Sequence, residues 1–142
     1  MLVMRLRLTL FVSLFTLLSA CGGESSTQQQ AREIHTLLSW TATAQMTGEA
    51  WRQRNVPGAY TEQTLDSATQ TLNGEQAAVA QLPPVPGDTP LPDRLRRVLT
   101  AIEQMKTAVQ RDDHAGIAVP LGQLAAQADA FQQMLDKLGA GQ

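Results

Sequence analysis

The chain has few of the residues on which recognisable active sites and cross-linked folds depend. It contains one cysteine, two histidines and only 4% aromatic residues. A single cysteine excludes an intrachain disulfide framework and a cysteine-rich zinc site. The sequence also has no glycine-rich phosphate loop, no paired-histidine motif and no nucleophile elbow. These absences argue against catalysis, so we expect a protein that is not an enzyme and that holds no metal and no cofactor.

An excess of positive charge is also missing. The 142 residues include 11 basic and 13 acidic side chains, which gives a formal net charge of −2. This composition excludes a nucleic-acid-binding protein that depends on bulk positive charge. The length is that of one ordinary domain, and a chain of this size buries enough surface to fold without a covalent staple.

The first twenty residues have the three zones of a secretory signal peptide. Arg5 and Arg7 supply a positive start, residues 8–18 are mostly apolar, and small residues follow. An apolar run of this length is too short for a bilayer core, which needs about 20 helical residues. We therefore predict a signal peptide over residues 1–20. The sequence leaves open whether translation starts at Met1 or at Met4.

The end of this leader carries a more specific pattern. Leu18, Ser19, Ala20 and Cys21 resemble the lipobox of bacterial lipoproteins. The resemblance implies cleavage after Ala20 and a diacylglycerol on the Cys21 thiol, with palmitate-type acyl chains that anchor the protein to a membrane of the cell envelope. Because Gly22 rather than aspartate follows Cys21, it also implies the outer membrane, facing the periplasm, in a bacterium with two membranes. The alternative is an ordinary secretory signal with a coincidental cysteine.

The mature chain begins with a polar stretch. Residues 22–30 contain no apolar side chain and cannot bury surface to offset the entropy of ordering. We therefore predict a flexible tether over residues 21–30, with the lipid on Cys21, and a helical domain over residues 31–139.

Four segments of the predicted domain have the period of an α-helix. The apolar or small positions of the first are Ile34, Leu37, Leu38, Thr41, Ala44, Gly48 and Trp51. Those of the second are Leu65, Ala68, Leu72, Val79 and Leu82, with a flaw where Asn73 and Gly74 precede Glu75 on the core side. Those of the third are Leu95, Val98, Leu99, Ile102, Met105 and Val109. Those of the fourth are Ile117, Leu121, Leu124, Ala128, Phe131, Leu135 and Leu138.

Breaker residues separate these segments. Asn55 and Pro57 end the first, and residues 83–90, with four prolines, predict a stiff extended connection before the third. The pair Asp112–Asp113 predicts a tight reversal with Asp113 as the N-cap of the fourth helix. Pro120 is expected to bend that fourth helix, because its ring opposes the carbonyl of Gly116.

These elements predict an all-α fold. Two of the three joints are short, so the helices are expected to pair as two hairpins joined by the proline-rich linker, in an antiparallel four-helix bundle. A pair of solenoid-type helical repeats is the structural alternative.

In such a bundle the joints after the first and third helices lie at one end, away from the anchored N-terminus. Six residues are expected to cluster there, and we call them the tip: Trp51, Arg52, Arg54, Tyr60, Arg111 and His114. Tryptophan, tyrosine and arginine are enriched at interaction hot spots. The tip is therefore the candidate partner-binding site. The alternative is that Trp51 belongs to the core and that the arginines only complement helix dipoles.

The predicted function is a membrane-anchored bacterial lipoprotein with a non-catalytic helical domain, acting as an interaction or accessory module in the cell envelope with another envelope protein as its possible partner. The alternative is a periplasmic small-ligand or metal-binding bundle whose interior has room beside Ala44, Gly48 and Ala68. Haem ligation by His35 and Met134 is not expected, since both positions lie beside the apolar stripes.

Overall fold

The structure, a computed structural model, describes residues 25–140, so the predicted signal peptide, the lipobox and Cys21 lie outside the described residues. Five helices account for most of this part of the chain: α1 (Ser26–Arg52), α2 (Gly58–Gly74), α3 (Gln76–Ala80), α4 (Leu91–Gln110) and α5 (Ala118–Ala140). No strand occurs between residues 25 and 140, which confirms the all-α prediction. Within the same residues, no helix has the length and apolar character that crossing a membrane requires.

The four longer helices enclose one core. Helix α1 packs most extensively against α5 and also against α2, while α4 packs against the other side of both α5 and α2. The direct contact between α1 and α4 is much smaller, and the short α3 packs mainly on α4. The largest fully buried side chains come from all of these helices and the α4–α5 joint, and include Phe131, Ile34, Leu65, Ile102, Ile117 and Val79.

The periodic pattern identified the buried face of α1 correctly. All of the predicted stripe positions except Leu38, which is half-buried, are fully or nearly fully buried: Ile34, Leu37, Thr41, Ala44, Gly48 and Trp51. Thr41 is tolerated in this apolar environment because its hydroxyl donates to the Leu37 carbonyl oxygen at 2.7 Å.

The start of α1 differs from the sequence-based boundary. Residues 26–30, assigned above to the flexible tether, are helical. Ser25 forms a capping box, in which its hydroxyl accepts from the Gln28 amide and the Gln28 side chain accepts from the Ser25 amide. One turn later, Gln30 is buried and donates to the Pro83 carbonyl oxygen at 2.5 Å. Polar residues can thus extend the helix, because the cap and a tertiary hydrogen bond replace apolar burial.

The flaw in the second helical segment is a break in the structure. Helix α2 ends at Gly74, Glu75 is a turn residue, and α3 resumes at Gln76. Gly74 meets no neighbouring side chain, and Glu75 is half-buried. The flaw in the pattern therefore coincides with a one-residue break between two helices. The Glu75 carboxyl lies at the edge of the core instead of inside it.

The proline-rich segment is folded back on the domain instead of running as a plain extended connection. Val85 in its middle is buried, and the Asp88 amide donates to the Val85 carbonyl oxygen across a turn in which Gly87 has φ +79°. The Asp88 carboxylate then lies 2.9 Å from the Lys137 amine and 3.7 Å from the Arg94 guanidinium. This ionic contact joins the segment to α4 and α5.

The start of α5 also corrects an expectation. Residues 114–117 form turns, and the helix begins at Ala118, so Pro120 lies in its first turn and not in its interior. A first-turn proline gives up an N–H that has no helical partner in any case, so no bend is required. The Asp113 carboxylate caps the preceding turn by accepting from the Gly116 amide at 2.8 Å.

Candidate functional site

The joints after α1 and α4 meet through two ring systems. The indole of Trp51 and the imidazole of His114 are stacked, with centroids 3.9 Å apart and planes inclined by 14°. Trp51 is buried, and the space beside Gly58 is bounded by Trp51 and Val109. Among the six tip residues, Trp51 and His114 are in direct ring contact. Their stacking links the end of α1 to the joint between α4 and α5.

His114 is held from its other edge as well. Its Nε2 lies 3.0 Å from a carboxylate oxygen of Asp112, while its Nδ1 is buried without a hydrogen-bond partner. The stack and the carboxylate contact fix the ring in one orientation. Trp51 thus packs inside the domain and supports the His114 ring, in agreement with its position on the buried stripe of α1.

The two joints share an unusual backbone feature. After α1, the Asn55 amide donates to the Ala50 carbonyl oxygen and the Arg54 amide donates to the Trp51 carbonyl oxygen, both at 2.8 Å. This pair of bonds is a Schellman motif, which places Arg54 in the left-handed region at φ +64°.

The α4 terminus repeats the motif. The Asp113 amide donates to the Ala108 carbonyl oxygen and the Asp112 amide to the Val109 carbonyl oxygen, with Asp112 at φ +52°. Glycine is the usual residue at this position, because a side chain costs about 1 kcal/mol or more there. Among residues 25–140, Arg54 and Asp112 are the two non-glycine residues with positive φ.

The two left-handed residues differ in what their side chains do. Asp112 contacts His114, and aspartate tolerates this backbone region better than most residues. Arg54 is exposed, and its side chain makes no hydrogen bond or ion pair within the described residues. The conformational cost at Arg54 is thus not offset by a side-chain hydrogen bond or ion pair within residues 25–140.

The remaining tip residues lie on the surface around these joints. Arg52 is paired with Glu49 at 2.6 Å, and hydrogen bonds from Arg52 and then Gln53 lower the pKa of Glu49 to about 2. Arg111 is exposed at the end of α4, and Tyr60 on the first turn of α2 is 55% exposed. Arg52 therefore already has an ion-pair partner within the domain. The other three surface residues of the tip face solvent: Arg54, Tyr60 and Arg111.

Two further exposed apolar residues near these joints were not identified from the sequence. Met46 on α1 is 72% exposed, and Val119 at the start of α5 is 68% exposed. With Tyr60, they are the large apolar side chains that residues 25–140 expose most. Met46 and Val119 lie off the buried stripes of their helices, so their exposure agrees with the periodic pattern. The pattern does not distinguish them from ordinary surface positions.

The described residues offer no assembled metal or haem site. No group of three or more potential ligands among histidine, cysteine, aspartate and glutamate occurs in residues 25–140. Met134 is fully buried whereas His35 is exposed, so these two side chains do not face a common cavity. The interior beside Gly48 is filled, because the Met105 methyl group would lie 2.2 Å from a Cβ placed there.

At the other end of α1, two carboxyl groups meet across helices. The side chains of Glu33 on α1 and Glu75 at the break between α2 and α3 lie close enough to form a hydrogen bond when one of the two carboxyl groups is protonated. This bond, together with partial burial and the negative charge of Glu75, raises the pKa of Glu33, and the charge of Arg32 opposes the shift. A carboxyl whose pKa is raised on folding stabilises the fold below its ordinary pKa of 4.5, and that contribution is lost as the pH rises through the folded value.

We therefore expect Glu33→Gln to raise the free energy of unfolding at pH 7, because the amide keeps a hydrogen-bond donor for Glu75 without a second negative charge. Solvent screening at this half-exposed site limits the gain to under about 1 kcal/mol. Urea unfolding of the variant and the wild type at pH 7 and pH 4 measures it, and the difference should shrink at the lower pH. Glu62→Gln, at a half-exposed position on α2, is the control. A gain in the free energy of unfolding that is equal at both pH values would contradict the proposed repulsion between the Glu33 and Glu75 carboxylates.

A comparison of the chain with protein-family models, with curated protein sequences and with solved structures finds no match.

Proposed function

We propose that this protein is a lipid-anchored bacterial lipoprotein whose non-catalytic domain is an accessory module of the cell envelope. The lipobox resemblance at residues 18–21 supports an anchor on Cys21, facing the periplasm from the outer membrane where two membranes exist. The domain presents the tip to another envelope protein.

The proposed arrangement of the domain is an antiparallel four-helix bundle. Contacts at its two ends support this topology. Gln30 at the start of α1 contacts Pro83, and Lys137 near the end of α5 contacts Asp88, so the chain start and the proline-rich segment share one end. The Trp51–His114 stack joins the other two connections at the opposite end. An anchor before residue 25 then leaves the tip as the part that points away from the membrane.

The observation that carries the partner-binding proposal is Arg54. It occupies a backbone position that favours glycine, it is exposed, and its side chain makes no hydrogen bond or ion pair within the described residues. An arginine that costs stability without an internal hydrogen bond or ion pair is accounted for when its contact is to another molecule. Exposed Tyr60 follows six residues later, on the first turn of α2, and arginine and tyrosine are frequent hot-spot residues.

Crosslinking in cells tests this proposal directly. With a photocrosslinking phenylalanine derivative in place of Tyr60, we expect one discrete adduct with an envelope protein. Arg54→Gly should weaken that adduct at least several-fold while raising the free energy of unfolding by about 1 kcal/mol, because glycine relieves the left-handed strain. Gel analysis of crosslinked cells and urea unfolding of the purified chain measure the two effects.

The matched control places the same photocrosslinker at Gln70, which is exposed on the same helix but far from the joints. Equal adducts from positions 60 and 70 would show non-specific capture and would remove the tip from consideration. An undiminished adduct with Arg54→Gly would do the same for the role of Arg54. The opposite changes in stability and binding ensure that loss of the adduct is not loss of the fold.

A further inference from the structure

A groove lined by polar and basic residues and one alanine runs along the α4–α5 contact, away from the tip. Its volume is about 420 Å³, and its lining residues are Arg96, Arg97, Thr100, Gln104, Gln123, Ala126 and Gln127. This volume lies within the range of small-molecule sites. Thr100 and Ala126 are small, so the helices leave a trough between the longer side chains.

The lining contains no carboxylate, although the chain as a whole is acidic. Arg96 is already paired with Asp93 outside the groove. Arg97, by contrast, is exposed and has no ion pair within residues 25–140. The side chains of Gln104 and Gln123 also make no hydrogen bond to the described residues. The groove therefore offers a free guanidinium and several unused amide groups.

Its most organised member is Gln127, which is buried at 9% exposure. The Gln127 Oε1 accepts from the Arg94 guanidinium at 3.2 Å, and Arg94 is in turn paired with Asp88. Because the oxygen already accepts a hydrogen bond, the amide nitrogen is the polar group of Gln127 that is still available. This nitrogen donates to no acceptor in the described part of the chain. A donor held in place by a hydrogen bond to an ion-paired arginine binds an acceptor with little loss of side-chain entropy.

From these contacts we propose that the α4–α5 groove binds a small ligand that carries a carboxylate flanked by amide or hydroxyl groups. Arg97 pairs with the carboxylate, since a guanidinium and a carboxylate match in a bidentate geometry. The Gln127 nitrogen donates to a neighbouring acceptor, and Gln104 and Gln123 bind the flanking polar groups. The free carboxyl end of a peptide and an acidic sugar both have this chemistry. The proposal rests neither on the lipid anchor nor on the tip.

Ligand-observed NMR with the full chain in a non-ionic detergent tests the site with three probes: N-acetyl-trialanine as the free acid, the same peptide as its amide, and glucuronic acid. We expect saturable binding of at least one acid, and for the peptide at least about 10-fold weaker binding of the amide, the usual effect of losing a charge-assisted pair. Binding of the peptide acid alone identifies a peptide end as the ligand, and binding of glucuronic acid alone identifies a sugar.

Variants assign the binding to the groove. Arg97→Ala should lower the affinity for the bound acid at least about 10-fold. Gln127→Met should lower it as well, by removing the buried donor at similar side-chain volume. Arg32→Ala is the control, since it removes an exposed guanidinium from α1, outside the groove. Equal losses for Arg97→Ala and Arg32→Ala, equal affinity for peptide acid and amide, or no saturable binding of either acid would each overturn the proposal.

Discussion

Replacing Asp88 by alanine is expected to lower the free energy of unfolding by about 2–3 kcal/mol, somewhat less than the effect of breaking a fully buried ion pair. The Asp88 side chain is 11% exposed and lies between Lys137 and Arg94. Its removal leaves the Arg94 guanidinium, 12% exposed and with an already unpartnered Nε, without a counter-charge. Urea unfolding followed by circular dichroism measures the loss.

A more exposed aspartate provides the comparison. Asp93 pairs with Arg96, but these side chains are 40% and 74% exposed, so Asp93→Ala should cost less than about 1 kcal/mol. In the double variant with Asp88→Ala, Arg94→Met should recover part of the loss, because the uncompensated charge is then gone. Similar losses for Asp88→Ala and Asp93→Ala would show that the proline-rich segment is not held by this contact.

The importance of Asp88 shows where prediction from the sequence stops. Periodicity located the buried faces of α1 and α4, since those faces depend on spacing within one helix. Residues 83–90 have no periodicity. Nothing in their local sequence therefore indicates that Val85 is buried or that Asp88 pairs with residues on α4 and α5. The same limit applies to the start of α1, where Gln30 is buried through a contact with Pro83, distant in the sequence.

The candidate site was predictable only in part, for a similar reason. Composition and topology named Trp51 and His114 as members of one cluster, and the structure stacks them. The left-handed backbone of Arg54 was not predictable, because a Schellman motif with arginine in the glycine position leaves no sequence signature. The groove along α4 and α5 likewise depends on side chains from two helices that no spacing rule joins.

The close approach of α1 to α4 and α5 makes Gly48 the other sensitive position. A Cβ at residue 48 would lie 2.2 Å from the Met105 terminal methyl carbon and 3.0 Å from a Leu121 methyl carbon. Alanine at this position can be accommodated if the flexible end of Met105 moves. Valine adds two more methyl groups in the same space, so Gly48→Val should destabilise the domain by about 3 kcal/mol, at the upper end of overpacking effects. Thermal and urea unfolding measure this effect.

The identical substitution at Gly122 separates packing from helix propensity. Gly122 lies on α5 with nothing within 4 Å of an added Cβ, so Gly122→Val should be neutral or slightly stabilising, as expected for valine over glycine in a helix. Combining Gly48→Val with Met105→Ala should cost at least about 1 kcal/mol less than the sum of the single losses, because the shortened side chain vacates the space that valine fills. Strict additivity of the two losses would mean that residues 48 and 105 do not compete for that space, and the packing of α1 against α4 would have to differ from the arrangement described above.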